Sequence, residues 1–132
     1  MKVPFFDLER QTQRIRDDLS EALMEVIDSQ QFVLGPAVEK VESQIAETLS
    51  VSHAIGVASG SDALLLSLMA AGVGAGSEVI VPAFSFFSTA SSALRLGARI
   101  VFADIDFRTF QIDPEQFRRK ITPRTRAVIA AH

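Results

Sequence analysis

The sequence predicts an α/β protein with a mainly parallel sheet and helices on both faces. Three observations support this class: the chain opens with amphipathic helical stripes, short apolar runs then alternate with helices, and those runs lack polar alternation. Runs such as AIGVA (54–58) and RIVFA (99–103) are typical of parallel strands, because helices cover both faces of such a sheet. The predicted organisation is an N-terminal helical segment, residues 1–50, followed by the first part of a larger domain, residues 51–132.

The N-terminal segment is predicted to hold two amphipathic helices, the first running from Leu8 to about Gln30. Its apolar residues share one face: Ile15, Leu19, Ala22, Leu23, Val26 and Ile27. The second helix is expected to open at Pro36, because proline at the first helical position costs no N–H bond. Its apolar residues are Val38, Val41, Ile45 and Leu49. Each stripe predicts one buried helix face.

Strands and helices then alternate to the end of the sequence. Strands are predicted at 54–58, 78–81, 99–104 and 127–131, and helices at 62–71, 86–96 and 114–120. Asp113 is the expected N-cap of the last helix. The glycine-rich run 72–76 follows a helix and precedes a strand, the reverse of the order in a dinucleotide-binding loop, so it is predicted to cap the helix.

Composition excludes several classes of function. Lys+Arg total 13 and Asp+Glu 16, a net charge of −3, which disfavours nucleic acid or an anionic membrane as a partner. The absence of cysteine removes disulfides and thiolate catalysis, and two histidines alone cannot form a metal site. The N-terminal residues lack the pattern of a secretory signal peptide, and no stretch of the sequence is long and apolar enough to span a bilayer. We therefore expect a cytoplasmic protein without a metal site.

The segment 58–63, between a predicted strand and a helix, is a candidate anion site, because helix N-terminal N–H groups face the carboxyl edge of the sheet there. Gly60 is expected to allow a tight turn and the close approach of a phosphate, with Ser59 and Ser61 donating hydroxyl bonds. Alternatively, Ser61 or Asp62 only caps the helix. Because its carboxylate repels anions, Asp62 is expected to turn its side chain toward the helix's own N–H groups.

Three phenylalanines bunch with hydroxyl residues in the loop 82–89. One of these rings could stack on a flat heterocycle, although burial in a core is the commoner role of phenylalanine.

Further polar residues lie at predicted strand ends. An Asp-rich turn explains Asp104 and Asp106 more simply than ligand contact does. His132 ends the last predicted strand at the same carboxyl edge, and His53 precedes the first strand at the opposite edge. No pair is spaced like a catalytic dyad, so acid and base roles stay unassigned.

Several separate motifs together resemble one family. They are VPFFDLERQ, FVLGPAVEKVE, GVASGSDALLLSLMAAGVGAGSEVIVPAFSFFSTASSALRLGARIVFADID and FQIDPEQFRRKITPRTRAVIAAH. In order, and over the whole chain, they resemble the N-terminal part of the DegT/DnrJ/EryC1/StrS sugar aminotransferases, which use pyridoxal phosphate. The resemblance implies a partial large domain of the aspartate aminotransferase type, in a homodimer with active sites near the interface.

The resemblance also implies site residues. Gly60, Ser61 and Asp62 match the loop that holds the cofactor phosphate, with Ser61 standing where the family often has threonine. Phe86 matches the aromatic residue that stacks on the pyridine ring, where other members carry Trp or Tyr. The implied substrates are nucleotide-linked keto sugars, with glutamate as the usual amino donor.

No catalytic residue is expected within these 132 residues. The sequence ends with a predicted strand, so we expect the N-terminal portion of a longer protein. The family's Schiff-base lysine, and the aspartate that pairs with the pyridine nitrogen, would follow residue 132. The lysines present are Lys2, Lys40 and Lys120, none of them predicted at the carboxyl edge of the sheet.

Two other functions stay open. A few family members dehydrate sugars, using histidine where others have the lysine, and a non-catalytic binding or regulatory module could have kept the fold. The residues after His132 would distinguish these alternatives.

Overall fold

The structure, a computed structural model, describes residues 3–132, so Lys2 lies outside the described residues. In chain order the elements are α1 (Glu9–Ser29), α2 (Pro36–Thr48), α3 (Gly60–Ala70), β1 (Glu78–Pro82), α4 (Ser88–Arg95), β2 (Arg99–Ala103), α5 (Pro114–Arg119) and β3 (Thr125–Val128). They form two compact units, one ending at Gly56 and the other spanning Val57–His132. The predicted functional division after residue 50 stays a prediction.

The second unit is built on a three-stranded parallel sheet in the order β2-β1-β3. Ile80 in the central strand pairs with Val101 on one side and Val128 on the other. The crossover through α4 runs from β1 to β2, and the crossover through α5 runs back from β2 across β1 to β3. Because the two crossovers run in opposite directions, right-handed connections place α4 and α5 on opposite faces. The predicted α/β class with a parallel sheet is confirmed.

The core of this unit lies between β1 and the helices α3 and α4. Val79 and Val81 are fully buried and share one face of the sheet. They belong to an apolar cluster with Leu68 of α3, Ala93 of α4 and Ala98, which precedes β2. This packing holds both helices against the same face of the sheet.

Both α3 and α4 end at a glycine in the left-handed region, Gly72 at φ 71° and Gly97 at φ 75°. Beyond Gly72, the N–H of Val73 donates to Leu68 O at 3.0 Å, and both side chains are buried. This is a Schellman motif, in which a glycine avoids the steric cost that a Cβ would add. The prediction that the run 72–76 caps a helix is confirmed.

The sequence also identified the start of α5. Asp113 is its N-cap, and Asp113 Oδ1 accepts hydrogen bonds from the N–H groups of Glu115 at 2.8 Å and Gln116 at 3.3 Å. The cap satisfies two donors that have no partner within the helix.

The predicted strand at 54–58 is wrong. In the described part of the chain this extended segment pairs with no strand, and Ile55 is 81% exposed. The N–H of Gly56 donates instead to Glu42 Oε1 at 2.6 Å. An apolar run becomes a strand only when another strand supplies the facing hydrogen-bonding groups. His53 therefore does not precede a strand, and its predicted place at a sheet edge is wrong as well.

The remaining predicted elements exist with shifted ends. The last strand begins at Thr125 and ends at Val128 rather than spanning 127–131, and the helix predicted at 86–96 begins at Ser88. The apolar stripe of α1 is not buried: Leu19, Leu23 and Ile27 each keep about half of their surface exposed.

The stripes of α1 and α2 together line an open apolar groove of about 620 Å³ within the first unit. Within residues 3–132, no helix has both the length and the apolar character that a bilayer span requires.

Candidate functional site

The candidate site lies where the N-termini of α3 and α4 meet. Ser61 Oγ, in the first turn of α3, is 2.6 Å from Ser88 Oγ, at the first position of α4. One turn further along α4, the Ser92 hydroxyl donates to Ser88 O at 2.8 Å and lies 3.4 Å from Ser61 O. Two helix N-termini, each with a partial positive charge, are thus joined through serine side chains.

The N-cap of α3 is Ser59, whose Oγ accepts from the N–H of Asp62 at 3.1 Å. The alternative that Ser61 or Asp62 caps this helix is therefore wrong. Because α3 begins at Gly60, both residues belong to its first turn. Capping by Ser59 leaves the Ser61 hydroxyl available for other partners.

The Asp62 carboxylate does not turn to the helix's own N–H groups, as the sequence suggested. Its Oδ2 accepts from Ser59 Oγ at 3.0 Å, and its Oδ1 lies 3.9 Å from Nη1 of Arg95. The guanidinium offsets part of the negative charge that would otherwise oppose an anion at this helix end.

Gly60 is not required by a tight turn, in contrast to the sequence prediction. Its φ lies outside the left-handed region, and a Cβ built on it would meet no atom within 4 Å. The chain's own packing therefore imposes no need for glycine, and the space beside its Cα is open to a ligand.

The donors at this helix end suit a phosphate. Among the described residues, the N–H groups of Gly60 and Ser61 have no hydrogen-bond partner, and the Ser61 hydroxyl lies beside them. Backbone N–H groups and hydroxyls at a helix N-terminus form the usual binding site for phosphate oxygens. The residues present thus fit the phosphate end of pyridoxal phosphate.

The phenylalanine loop leads directly into this site, because Phe86 precedes Ser88 by two residues. Phe86 is 78% exposed and Phe87 75% exposed, whereas Phe84 pairs with Phe110 at a centroid distance of 5.7 Å. In this chain none of the three loop phenylalanines is core, so the expectation of core burial is not met. The Phe86 ring is free to cover a flat ligand.

A cavity of about 620 Å³ opens at the carboxyl edge of the sheet. It is lined by Phe84, Ser85, Phe86, Thr109, Phe110, Ala131 and His132. His132 therefore lies at the edge where the sequence placed it. Neither Lys40 nor Lys120 lines this cavity, and Lys40 is exposed on α2.

Asp106 has the turn role that the sequence favoured. Its Oδ1 accepts from the N–H groups of Arg108 at 2.7 Å and Thr109 at 3.2 Å. Asp104 O accepts from the N–H of Asp113 at 2.9 Å, which closes the same loop. Within the described residues, no group of acidic or histidine side chains is arranged to hold a metal ion.

One polar cluster was not found from the sequence. The buried Glu78, at the start of β1, accepts from Arg99 Nη2 and Arg124 Nε at 2.6 Å each and from Thr122 Oγ1 at 2.8 Å. The hydrogen bond from Arg99 is the main cause that lowers the pKa of Glu78 to about 2. The sequence did contain a signal for this cluster: two neighbouring predicted strands each begin with a charged residue, Glu78 and Arg99.

Comparison with known proteins identifies the family of the chain. The family model described as the DegT/DnrJ/EryC1/StrS aminotransferase family matches residues 13–132. The chain belongs to this family. The resemblance seen in the sequence motifs is therefore confirmed.

Two curated relatives show the range of names within the DegT/DnrJ/EryC1/StrS family. A "pleiotropic regulatory protein" from Geobacillus stearothermophilus is 46% identical over 132 residues, 100% of this chain and 36% of the relative. The UDP-2-acetamido-2-deoxy-3-oxo-D-glucuronate aminotransferase of Pseudomonas aeruginosa is 41% identical over 127 residues, 96% of this chain and 35% of that enzyme. The chain spans about a third of the length of these relatives.

A solved structure shares the fold. NtdA from Bacillus subtilis, crystallised with the bound cofactor PMP, superposes with a TM-score of 0.91 at 35% identity. The match covers 98% of this chain and 30% of that one. The aminotransferase-like fold implied by the resemblance is confirmed.

Proposed function

We propose that this DegT/DnrJ/EryC1/StrS family chain holds the phosphate and the ring of pyridoxal phosphate in a sugar aminotransferase. In the full-length protein, an amino group would pass from glutamate to a nucleotide-linked keto sugar. The observation that carries the proposal is the set of donors at the N-terminus of α3, with the exposed Phe86 two residues before the adjoining α4.

Each group has a distinct task in this proposal. The N–H groups of Gly60 and Ser61 and the Ser61 hydroxyl bind the phosphate oxygens, while only the backbone of Asp62 faces them. Phe86 covers one face of the cofactor ring and excludes water from it. Bound pyridoxal phosphate supplies the electron sink for amino transfer, and the lysine base would come from outside these residues.

The substrate class rests on the relatives. The Pseudomonas aeruginosa relative is named for a UDP-linked 3-oxo sugar, which supports a nucleotide-linked keto sugar here. We further propose a cytoplasmic homodimer that takes an amino-acid donor and uses neither nucleic acid nor a membrane surface as a partner. The net charge of −3 supports the last point.

The alternative function is a non-catalytic module, and the regulatory name of the Geobacillus relative is the observation in its favour. The match to an aminotransferase family and the aminotransferase name of the Pseudomonas aeruginosa relative favour the enzyme. The choice between amino transfer and dehydration depends on the residue that stands at the lysine position.

The experiment is a titration of full-length apoprotein with pyridoxal phosphate, followed by absorbance. Ser61→Ala is expected to weaken affinity by roughly 1 to 3 kcal/mol, the range for leaving a polar partner unpaired. Ser67→Ala, an exposed serine of the same helix, serves as the matched control.

Unchanged affinity in Ser61→Ala would contradict the phosphate assignment. The reaction is tested separately: full-length protein with glutamate and UDP-linked 3-oxo sugars should yield the amino sugar and 2-oxoglutarate by mass spectrometry. Loss of water from the sugar without transfer of nitrogen would indicate a dehydratase.

A further inference from the structure

A hydrogen bond joins one hydroxyl of α3 to one hydroxyl of α4, and its geometry is compatible with either hydroxyl as the donor. Ser61 Oγ and Ser88 Oγ are 2.6 Å apart, and both residues are half-buried. Each hydroxyl carries one proton and can accept through its lone pairs. In this pair one serine donates the hydrogen bond and the other accepts it. The hydroxyl of the accepting serine can therefore still donate a hydrogen bond to a third group.

The spacing of the two hydroxyls is held by a buried neighbour. Ser92 is 1% exposed, and its hydroxyl donates to the carbonyl of Ser88 while lying 3.4 Å from the carbonyl of Ser61. The Ser92 side chain therefore contacts the main-chain carbonyls of both Ser61 and Ser88. Sliding α3 past α4 would break the contact between the Ser92 hydroxyl and Ser61 O, while the hydrogen bond from Ser92 to Ser88 O, within α4, would remain.

An anion at the N-terminus of α3 decides which serine donates. Ionised phosphate oxygens accept hydrogen bonds, so the Ser61 hydroxyl must donate its hydrogen bond to the ligand. Ser61 can then only accept from Ser88. A hydroxyl that accepts one hydrogen bond becomes a stronger donor in the next, because the chain of bonds is polarised in one direction.

We propose that Ser88 is a positioning residue, whose hydroxyl donates to Ser61 Oγ and thereby directs the Ser61 proton to the phosphate of pyridoxal phosphate. The inference rests on the proposed function of Ser61. It does not require Ser88 to touch the cofactor. Sequence reasoning assigned no role to Ser88, because the contact joins residues 27 positions apart.

The test titrates full-length apoprotein with two probes, pyridoxal phosphate and pyridoxal, which lacks the phosphate. Ser88→Ala is expected to weaken pyridoxal phosphate about three- to tenfold and to leave pyridoxal unchanged. Ser88→Thr, which keeps the hydroxyl, should restore affinity. Ser91→Ala replaces another half-buried serine of α4 and should change neither affinity.

A double variant separates a direct effect from one that passes through Ser61. In a Ser61→Ala background, Ser88→Ala should add no further loss, because the hydroxyl that it orients is gone. Equal weakening of both probes by Ser88→Ala would overturn the inference. Because the ratio of the two affinities does not depend on the folded fraction, partial unfolding of a variant cannot hide this result.

The two proposals fail differently. If Ser61→Ala weakens pyridoxal phosphate binding and Ser88→Ala does not, the positioning role is wrong and the proposed function stands. If Ser61→Ala has no effect either, the phosphate site itself is wrong.

Discussion

The two edges of the parallel sheet are built in opposite ways. At the amino edge, Glu78 is fully buried, and both of its carboxylate oxygens accept hydrogen bonds from Arg99, Thr122 and Arg124. At the carboxyl edge, the loop after β1 leaves Phe86 mostly exposed and leads to α4. The N-terminus of α4 meets that of α3, whose first N–H groups lack partners among the described residues.

This difference indicates that the amino edge stabilises the fold and that the carboxyl edge is suited to bind a ligand. A buried carboxylate without partners is costly, so the amino edge must satisfy Glu78 within the chain. Unpartnered donors and exposed rings at the carboxyl edge contribute little to the fold. In open α/β sheets, ligands bind outside the carboxyl ends of the strands, as proposed here.

The largest expected effect comes from breaking the amino edge. Glu78→Gln removes the charge that both Arg99 and Arg124 contact, so the urea concentration at half-unfolding of the full-length protein should fall clearly. Glu115→Gln is the matched control, since Glu115 pairs with Arg118 at 3.1 Å but is exposed. Its effect should stay within about 1 kcal/mol. Similar losses in both variants would mean that burial of Glu78 contributes no stability.

Acid should act on the amino edge through the same residue. The partners of Glu78 lower its pKa in the folded state from the usual 4.5 to about 2. Between these values the unfolded chain binds more protons, so stability is fully present above pH 4.5 and declines as the pH falls toward 2. In Glu78→Gln the pH dependence of unfolding should lose about one proton over this range. An unchanged slope would show that Glu78 is not the responsible carboxylate.

A smaller effect is expected from the carboxyl edge, and it concerns binding rather than folding. Phe86→Ala should weaken pyridoxal phosphate binding about two- to tenfold, because a stacked ring contributes beyond its buried area. Phe87→Ala is the matched control, a similarly exposed ring in the same loop. Phe84 already pairs with Phe110, so Phe84→Ala should also have the weaker effect. Loss of binding in Phe84→Ala but not in Phe86→Ala would reverse the assignment.

Local signals in the sequence were reliable where short-range physics decides the outcome. Asp113 caps α5 and Gly72 ends α3, because capping and left-handed geometry depend on a few neighbouring residues. The strand predicted at 54–58 was wrong because strand formation does not depend on neighbouring residues alone. Its apolar pattern matches a buried strand, but a strand forms only with a partner, and the described residues offer none.

The candidate site shows the same division. The α/β class and the family could be predicted from the sequence alone, because periodicity and motif spacing are encoded along the chain, while the cofactor roles of Ser61 and Phe86 stay predictions. Three features became visible in the folded chain alone: Ser59 caps α3, Ser61 contacts Ser88, and Glu78 connects the starts of three strands. Those contacts join groups whose distance is set by how helices and strands pack, and a hydrogen bond depends on that distance to within a few tenths of an ångström.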